Sequence, residues 1–208
     1  QYTGWFFGLS MAYDLVDDQD MRDRIRADVT EVLYKLIDDN WWILDEQNFP
    51  TDAAPHVISY FRIAWLMIGY HITGDELFAD ELREWLLNEK RPFLRLYSMT
   101  FLNRYAQYYG NNLAHTNWYT ILRLGRVYFS EDDFEFFRKV FDTQVHTFTR
   151  LSHNPLFNGV FMSQGYYEPE PGTDPFQDQL VEDLADFRDP PLEQYLLPDR
   201  DELTTFTI

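Results

Sequence analysis

The chain has no cysteine. Disulfides, thiolate chemistry and cysteine-based metal sites are therefore excluded, and its compartment is left open. Lysine is nearly absent too, with 3 residues against 14 arginines, and 35 acidic residues outweigh all 17 basic ones to give a net charge of −18. Such a field repels phosphate backbones and anionic headgroups, so neither nucleic acid nor a membrane surface is an expected partner. Long apolar runs are also missing: stretches such as 63–74 and 105–122 are too short or too polar to span a bilayer. No Gly-rich phosphate loop, Gly-x-Ser-x-Gly elbow, His-Glu-x-x-His or His-x-His pair is present. No metal or cofactor is expected on that ground. The chain opens at Gln1 without a Met or a cationic, apolar leader, and the expectation is a processed chain or part of a longer one. An acidic, lysine-poor surface suits a secreted protein or a salt-adapted host.

What the chain does hold is aromatic residues, 18 % of the total. They serve either as large helix-packing side chains or as the walls of a cleft that stacks on flat apolar faces such as sugar rings. The first segment, Tyr2–Val16, reads as a helix that is apolar around most of its girth. Asp17-Asp18-Gln19-Asp20 then supplies acids where a second helix begins. That helix, about Asp20–Trp42, is apolar on one stripe only (Ile25, Val29, Val32, Leu36, Ile37). Arg24/Asp28 and Glu31/Lys35 are spaced for ion pairs on its wet side. Trp41-Trp42 is expected to pack against the next hairpin.

The alternation repeats. His56–His71 is apolar all round, and Thr73-Gly74-Asp75-Glu76 matches a capping box ahead of a one-sided helix, Asp75–Asn88. Phe93–Tyr109 reads as an aromatic helix, and Thr116–Phe129 as another apolar one. The turn Ser130-Glu131-Asp132-Asp133 leads into an outer-type helix that runs to about Arg150. A further apolar segment ends at Tyr166 or Tyr167, Phe176–Phe187 has the pattern of a short amphipathic helix, and residues 190–208 read as an irregular tail.

Aligned on the Tyr that closes each apolar helix, Tyr13, Tyr70 and Tyr128 fall 57 and 58 residues apart, with Tyr166 following after 38. An acidic, capped turn follows each of the first three: DLVDDQD, HITGDEL and FSEDDFE. Recurrence of one supersecondary unit marks a helical array, because a lone hairpin cannot bury both faces of its apolar helix. The expected fold is all-α: repeated helical hairpins over residues 1–189, with fully apolar helices inside and half-wet helices outside.

The units YTGWFFGLSMAYDLVDD, PHVISYFRIAWLMIGYHITGDE and HTNWYTILRLGRVYFSEDD resemble the α/α-toroid proteins. That six-hairpin glycosidase-like group includes unsaturated glucuronyl hydrolases, N-acylglucosamine epimerases and polysaccharide lyases. The resemblance implies an α/α toroid, or a partial toroid given the roughly four hairpins present. It also implies a polysaccharide or uronic-acid oligosaccharide as the substrate of a hydrolase, lyase or epimerase. The alternative is a non-catalytic binding or structural module that self-associates through its aromatics.

Counting back from the closing Tyr places His56, His115 and His153 at −14, −13 and −13. If the repeats superpose, the three imidazoles share one rim with Asp52, Asn112, Asn117, Trp118, Tyr119, Asn154 and Asn158. Polar groups mixed with aromatics suit a saccharide. Residues of these types at helix starts also serve as caps with no ligand at all. As candidate chemistry, His115 with Tyr119 forms an i,i+4 base pair for a lyase or epimerase. Asp52 is the best-placed acid. A second acid facing it, as glycoside hydrolysis usually requires, is not identified.

Overall fold

The computed structural model describes residues 2–51, 56–57, 59–87, 108–150, 154–164 and 175–185. These residues are helical, with no strand among them. The extended elements are two isolated antiparallel bridges, Trp42–His56 and Leu44–Pro50, in the loop after the second helix. The chain divides into two compact units, Gln1–Phe148 and Thr149–Ile208. The tail boundary expected near residue 189 lies outside the described residues, as do the aromatic segment 93–107, Asp52 and His153.

The first unit holds α1 (Tyr2–Leu15), α2 (Gln19–Asp38), α3 (Ser59–Thr73), α4 (Glu76–Leu87), α5 (Tyr108–Tyr128) and α6 (Glu131–Phe141). A π-helical turn, Asp142–His146, follows. Two helix starts, those of α2 and α6, fall where the capping signals stand, whereas α3 begins at Ser59 and not His56, and α5 at Tyr108 and not Thr116. Asp18 accepts the Met21 N–H at 3.1 Å, and Ser130 accepts that of Asp133 at 3.2 Å. At α4 the expected box is shifted. Thr73 Oγ1 takes the Asp75 N–H, and Asp75 is the residue that caps, through the Leu77 N–H.

The helix α3 is the axis of the unit. Tyr60, Ile63, Ala64, Trp65, Leu66, Met67, Ile68 and Ile72 are all buried, because α1, α2, α4 and α5 pack around it. In contrast, α2 buries one stripe, Ile25, Val29, Leu33 and Leu36, at the spacing of a single helix face. Its ion pairs are Arg26–Asp23 and Lys35–Asp39. The apolar helix α1 departs from expectation: only Thr3, Phe6 and Ser10 are buried, and Leu15 is 76 % exposed. α1, α3 and α5 also pack pairwise on one another, which fills the middle of the unit with side chains.

At their C-terminal ends these three helices meet in a polar knot. His71 lies 2.7 Å from Asp14 through Nε2 and 2.8 Å from the Tyr128 hydroxyl through Nδ1. A carboxylate can only accept, so in the neutral ring Nε2 carries the proton and Tyr128 donates to Nδ1. Arg123 reaches Asp14 at 2.5 Å and Ser10 at 2.6 Å. The Tyr70 and Tyr128 rings touch edge to face at 5.2 Å, and Tyr13 meets the His71 ring at 6.2 Å. From α2, Arg22 and Arg26 donate to the carbonyls of Tyr13 and Ile72, the unpaired acceptors at the ends of α1 and α3.

In the second unit, α7 (Pro155–Met162) and α8 (Pro175–Ala185) pack together. Asn154 caps α7 by accepting the N–H groups of Leu156 and Phe157. No helix among the described residues is long and apolar enough to cross a membrane.

Candidate functional site

Among the described residues, a cavity lies on the flank of the first unit, where α2 ends against α3 and α4. Its volume is about 260 Å³, and its lining includes Asn40, Trp41, Arg62, Glu81, Glu84 and Trp85. The cavity exists because α2 stops abruptly. Asn40 and Trp41 take left-handed backbone, φ 50° and 64°, and the Trp41 N–H closes back on the Leu36 carbonyl at 2.6 Å. For a bulky residue this conformation costs on the order of 1–2 kcal/mol. Burial of the Trp41 indole, which is 5 % exposed, offsets that cost.

The buried indole lies against a cation. Arg62, in the first turns of α3 and itself only 5 % exposed, holds its guanidinium 5.2 Å from the Trp41 ring and 4.5 Å from the Trp85 ring. Cation–π attraction is strongest at such desolvated sites. Two of the Arg62 nitrogens are engaged: Nε bonds the Val57 carbonyl at 2.9 Å, and a terminal nitrogen lies 2.6 Å from His56 Nε2. Arginine only donates, so His56 accepts there and carries its own proton on Nδ1. Burial, then the Arg62 charge, hold the His56 pKa below its ordinary value. The Trp42 ring lies 5.0 Å from that of His56, tilted by 56°.

Glu81 and Glu84, one turn apart on α4, complete the mouth. Neither has a hydrogen-bond or ion-pair partner among the described residues, whereas Arg83 on the same helix engages Asp80 and Glu76. The cavity thus presents an aromatic wall, two carboxylates and an amide around a fixed cation. That set is suited to a ligand rich in hydroxyl or amine donors.

The residues expected at a common rim are distributed differently. His56 stands behind Arg62, beside this cavity. His115 is fully enclosed, with Nδ1 2.8 Å from the Asn111 carbonyl and its ring against Phe141. Burial drives its pKa down to about 4, with the nearby His146 acting in the same direction and the Asn111 carbonyl opposing. Tyr119, four residues on, is half-buried against Phe7. Asn117 is buried and bonds Thr3 and the Leu113 carbonyl. Trp118 sits among Tyr60, Phe137 and Phe141, wholly inside the core. Asn112 is half-buried, and its carbonyl accepts the Thr116 hydroxyl. In the second unit Asn154 is the α7 cap, and Asn158 is buried against Asp183 at 3.1 Å.

Sequence reasoning missed Arg62, Glu81, Glu84 and Trp85 and assigned Trp41 to packing alone. The signal available was Trp41-Trp42 directly after a one-sided helix, followed by an arginine inside an otherwise apolar helix. No family of known proteins has a model that matches this chain, and neither a curated protein nor a solved structure matches it.

Proposed function

We propose that this is a carbohydrate-binding protein built on helical hairpins of the α/α-toroid kind, with its sugar site in the flank cavity at Trp85. The observation that carries this reading is the cavity's composition. An indole that is partly open to solvent stands beside two unpaired carboxylates, and a planar apolar face next to strong acceptors is what a pyranose ring needs. Kinship to the toroid proteins is supported by the hairpin alternation and by the meeting of the closing tyrosines. The filled centre between α1, α3 and α5 favours a flank site over a central mouth.

Binding is favoured over hydrolysis, β-elimination or epimerisation. Glycoside cleavage needs two carboxyl groups on opposite sides of the scissile bond, whereas Glu81 and Glu84 rise from one helix. His115, the base considered from sequence, is enclosed and held neutral, with no opening to a substrate.

The test is a panel of mono- and disaccharides titrated into the full chain, followed by tryptophan fluorescence, with Trp85→Ala as the variant and His115→Gln as the comparison. The expected result is saturable binding that Trp85→Ala weakens by about tenfold or more, the scale of one lost stacking contact, while His115→Gln retains it. Binding unaffected by Trp85→Ala, or no binding of any saccharide, overturns the proposal.

A further inference from the structure

The polar knot at the ends of α1, α3 and α5 has the form of a proton relay, and it stands apart from the sugar site. A carboxylate, an imidazole and a hydroxyl follow one another. Asp14 Oδ1 lies 2.7 Å from His71 Nε2, and His71 Nδ1 lies 2.8 Å from the Tyr128 hydroxyl. With the ring proton on Nε2 facing the carboxylate, Nδ1 turns its lone pair to the hydroxyl, the arrangement in which an imidazole acts as a base. We propose that the knot is an acyl-accepting site, with Tyr128 as nucleophile, His71 as its general base and Asp14 positioning His71, and that it takes the acyl group of a neutral ester with a short apolar chain.

The hydroxyl needs such a base. Burial, then Tyr70 and Asp14, hold the Tyr128 pKa above its ordinary value against the Arg123 charge, so at neutral pH the free phenolate is scarce. Contact with His71 supplies what is missing. As the Tyr128 oxygen adds to the ester carbonyl carbon, its proton passes to Nδ1. The C–O bond to the leaving group then breaks, and that group departs with the electron pair and takes the proton back from His71. Nothing is oxidised or reduced. The imidazolium formed in between is met by Asp14 and by the C-terminal end of α3, where His71 stands in the last turn. The nucleophile is held in place as well, since the Tyr128 ring packs 5.2 Å from that of Tyr70 and 5.9 Å from that of His71. Tyr128 is nonetheless 39 % exposed, within reach of a small ester. Leu15 and Val127, next to Asp14 and Tyr128 in the chain, are 76 % and 68 % exposed, so this end of the unit also offers apolar surface to an acyl chain. A net charge of −18 does not repel a neutral reagent.

The experiment treats the full chain with p-nitrophenyl butyrate at about pH 7.5, well below the range of an ordinary phenol, and reads acylation at each tyrosine by peptide mass spectrometry. Tyr34 is the internal reference. It is 38 % exposed, and its hydroxyl donates at 2.8 Å to Asp75, a carboxylate and so a weaker base than imidazole. Tyr128 is expected to be acylated about a hundredfold faster than Tyr34, the low end of what a positioned base supplies, and a ratio below about tenfold overturns the proposal. In His71→Gln the amide can still accept the hydroxyl but takes up no proton. The ratio should fall towards unity with Tyr34 unchanged, and a ratio that persists overturns the proposal. Asp14→Asn tests the positioning. Arg123 donates to the other carboxylate oxygen of Asp14, so the new NH₂ is turned towards His71 and the ring proton moves to Nδ1. The nitrogen NMR shifts of His71 should then exchange, and Tyr128 acylation should drop to the level of Tyr34. Acylation that persists after the proton has moved overturns the relay. The parent ratio needs no variant and decides the proposal even where a substituted chain does not fold.

Discussion

His71 Nε2 and Asp14 Oδ1 stand 2.7 Å apart across 57 residues of sequence, joining the end of α3 to the end of α1. Burial alone would push the Asp14 carboxyl up, but hydrogen bonds from His71 and Arg123, and their charges, outweigh it and hold its pKa below the ordinary value of 3.8. A depressed folded value means that the contribution is fully present above the unfolded pKa and is lost as pH falls through the folded one. Asp14→Ala is expected to lower stability in urea by about 1–2 kcal/mol at neutral pH, since the knot is partly exposed and water screens it. The gap between variant and parent should close below about pH 4. A gap unchanged in acid would assign the loss to packing and not to charge.

The His115 ring gives a second pH signature, in a higher range. Burial holds its folded pKa at about 4, below the ordinary 6.5, so between those values the unfolded chain takes up a proton that the native chain refuses. Stability must then fall as pH drops from about 6.5 towards 4, by on the order of 3 kcal/mol for this one group. In His115→Gln the slope of the urea midpoint against pH across that window should be visibly shallower. Equal slopes in parent and variant would exclude this group as the cause.

Arg62→Lys tests the buried cation. A lysine keeps the charge but loses the planar group that lies against Trp41 and Trp85, and with it the fixed fork that reaches Val57 and His56. A loss of roughly 1–3 kcal/mol is expected, together with a red shift of tryptophan emission as the Trp41 side of the cavity hydrates. Unchanged stability and emission would show that charge alone holds this region.

Two glycines give opposite results for one substitution. A Cβ at Gly69 would collide with Leu33 and come within 2.9 Å of Phe78, where α2 and α4 press against α3. Gly69→Ala should therefore destabilise by about 1–3 kcal/mol. A Cβ at Gly8 meets nothing within 4 Å, and Gly8→Ala in the open face of α1 should stabilise by about 0.5–1 kcal/mol through helix propensity. Thermal melts of the two variants decide both signs.

The helical character of the chain and the helix starts that carry a capping side chain were legible because their causes are local. Asp18, Ser130 and Asn154 are capping residues in the order a helix demands, and the one-sided stripe of α2 follows from its spacing. Of the closing tyrosines, Tyr70 and Tyr128 do touch, with ring centroids 5.2 Å apart. The cavity was not legible. It depends on the left-handed turn at Asn40 and Trp41, which has no glycine to announce it, and on Arg62 and Trp85, which lie in separate helices and meet only after those helices pack. His115 misled for a related reason. The register that placed it at a helix entrance took no account of α5 beginning at Tyr108, seven residues earlier, which draws the imidazole a full two turns into the core.

The knot of Asp14, His71 and Tyr128 has a bearing on how the chain acquires its structure. Its members come from α1, α3 and α5, so no single hairpin contains two of them, and each bond closes a loop of 57 residues. The knot is therefore expected to tighten late in assembly, so that Asp14→Ala speeds unfolding in urea jumps and leaves the refolding rate nearly untouched.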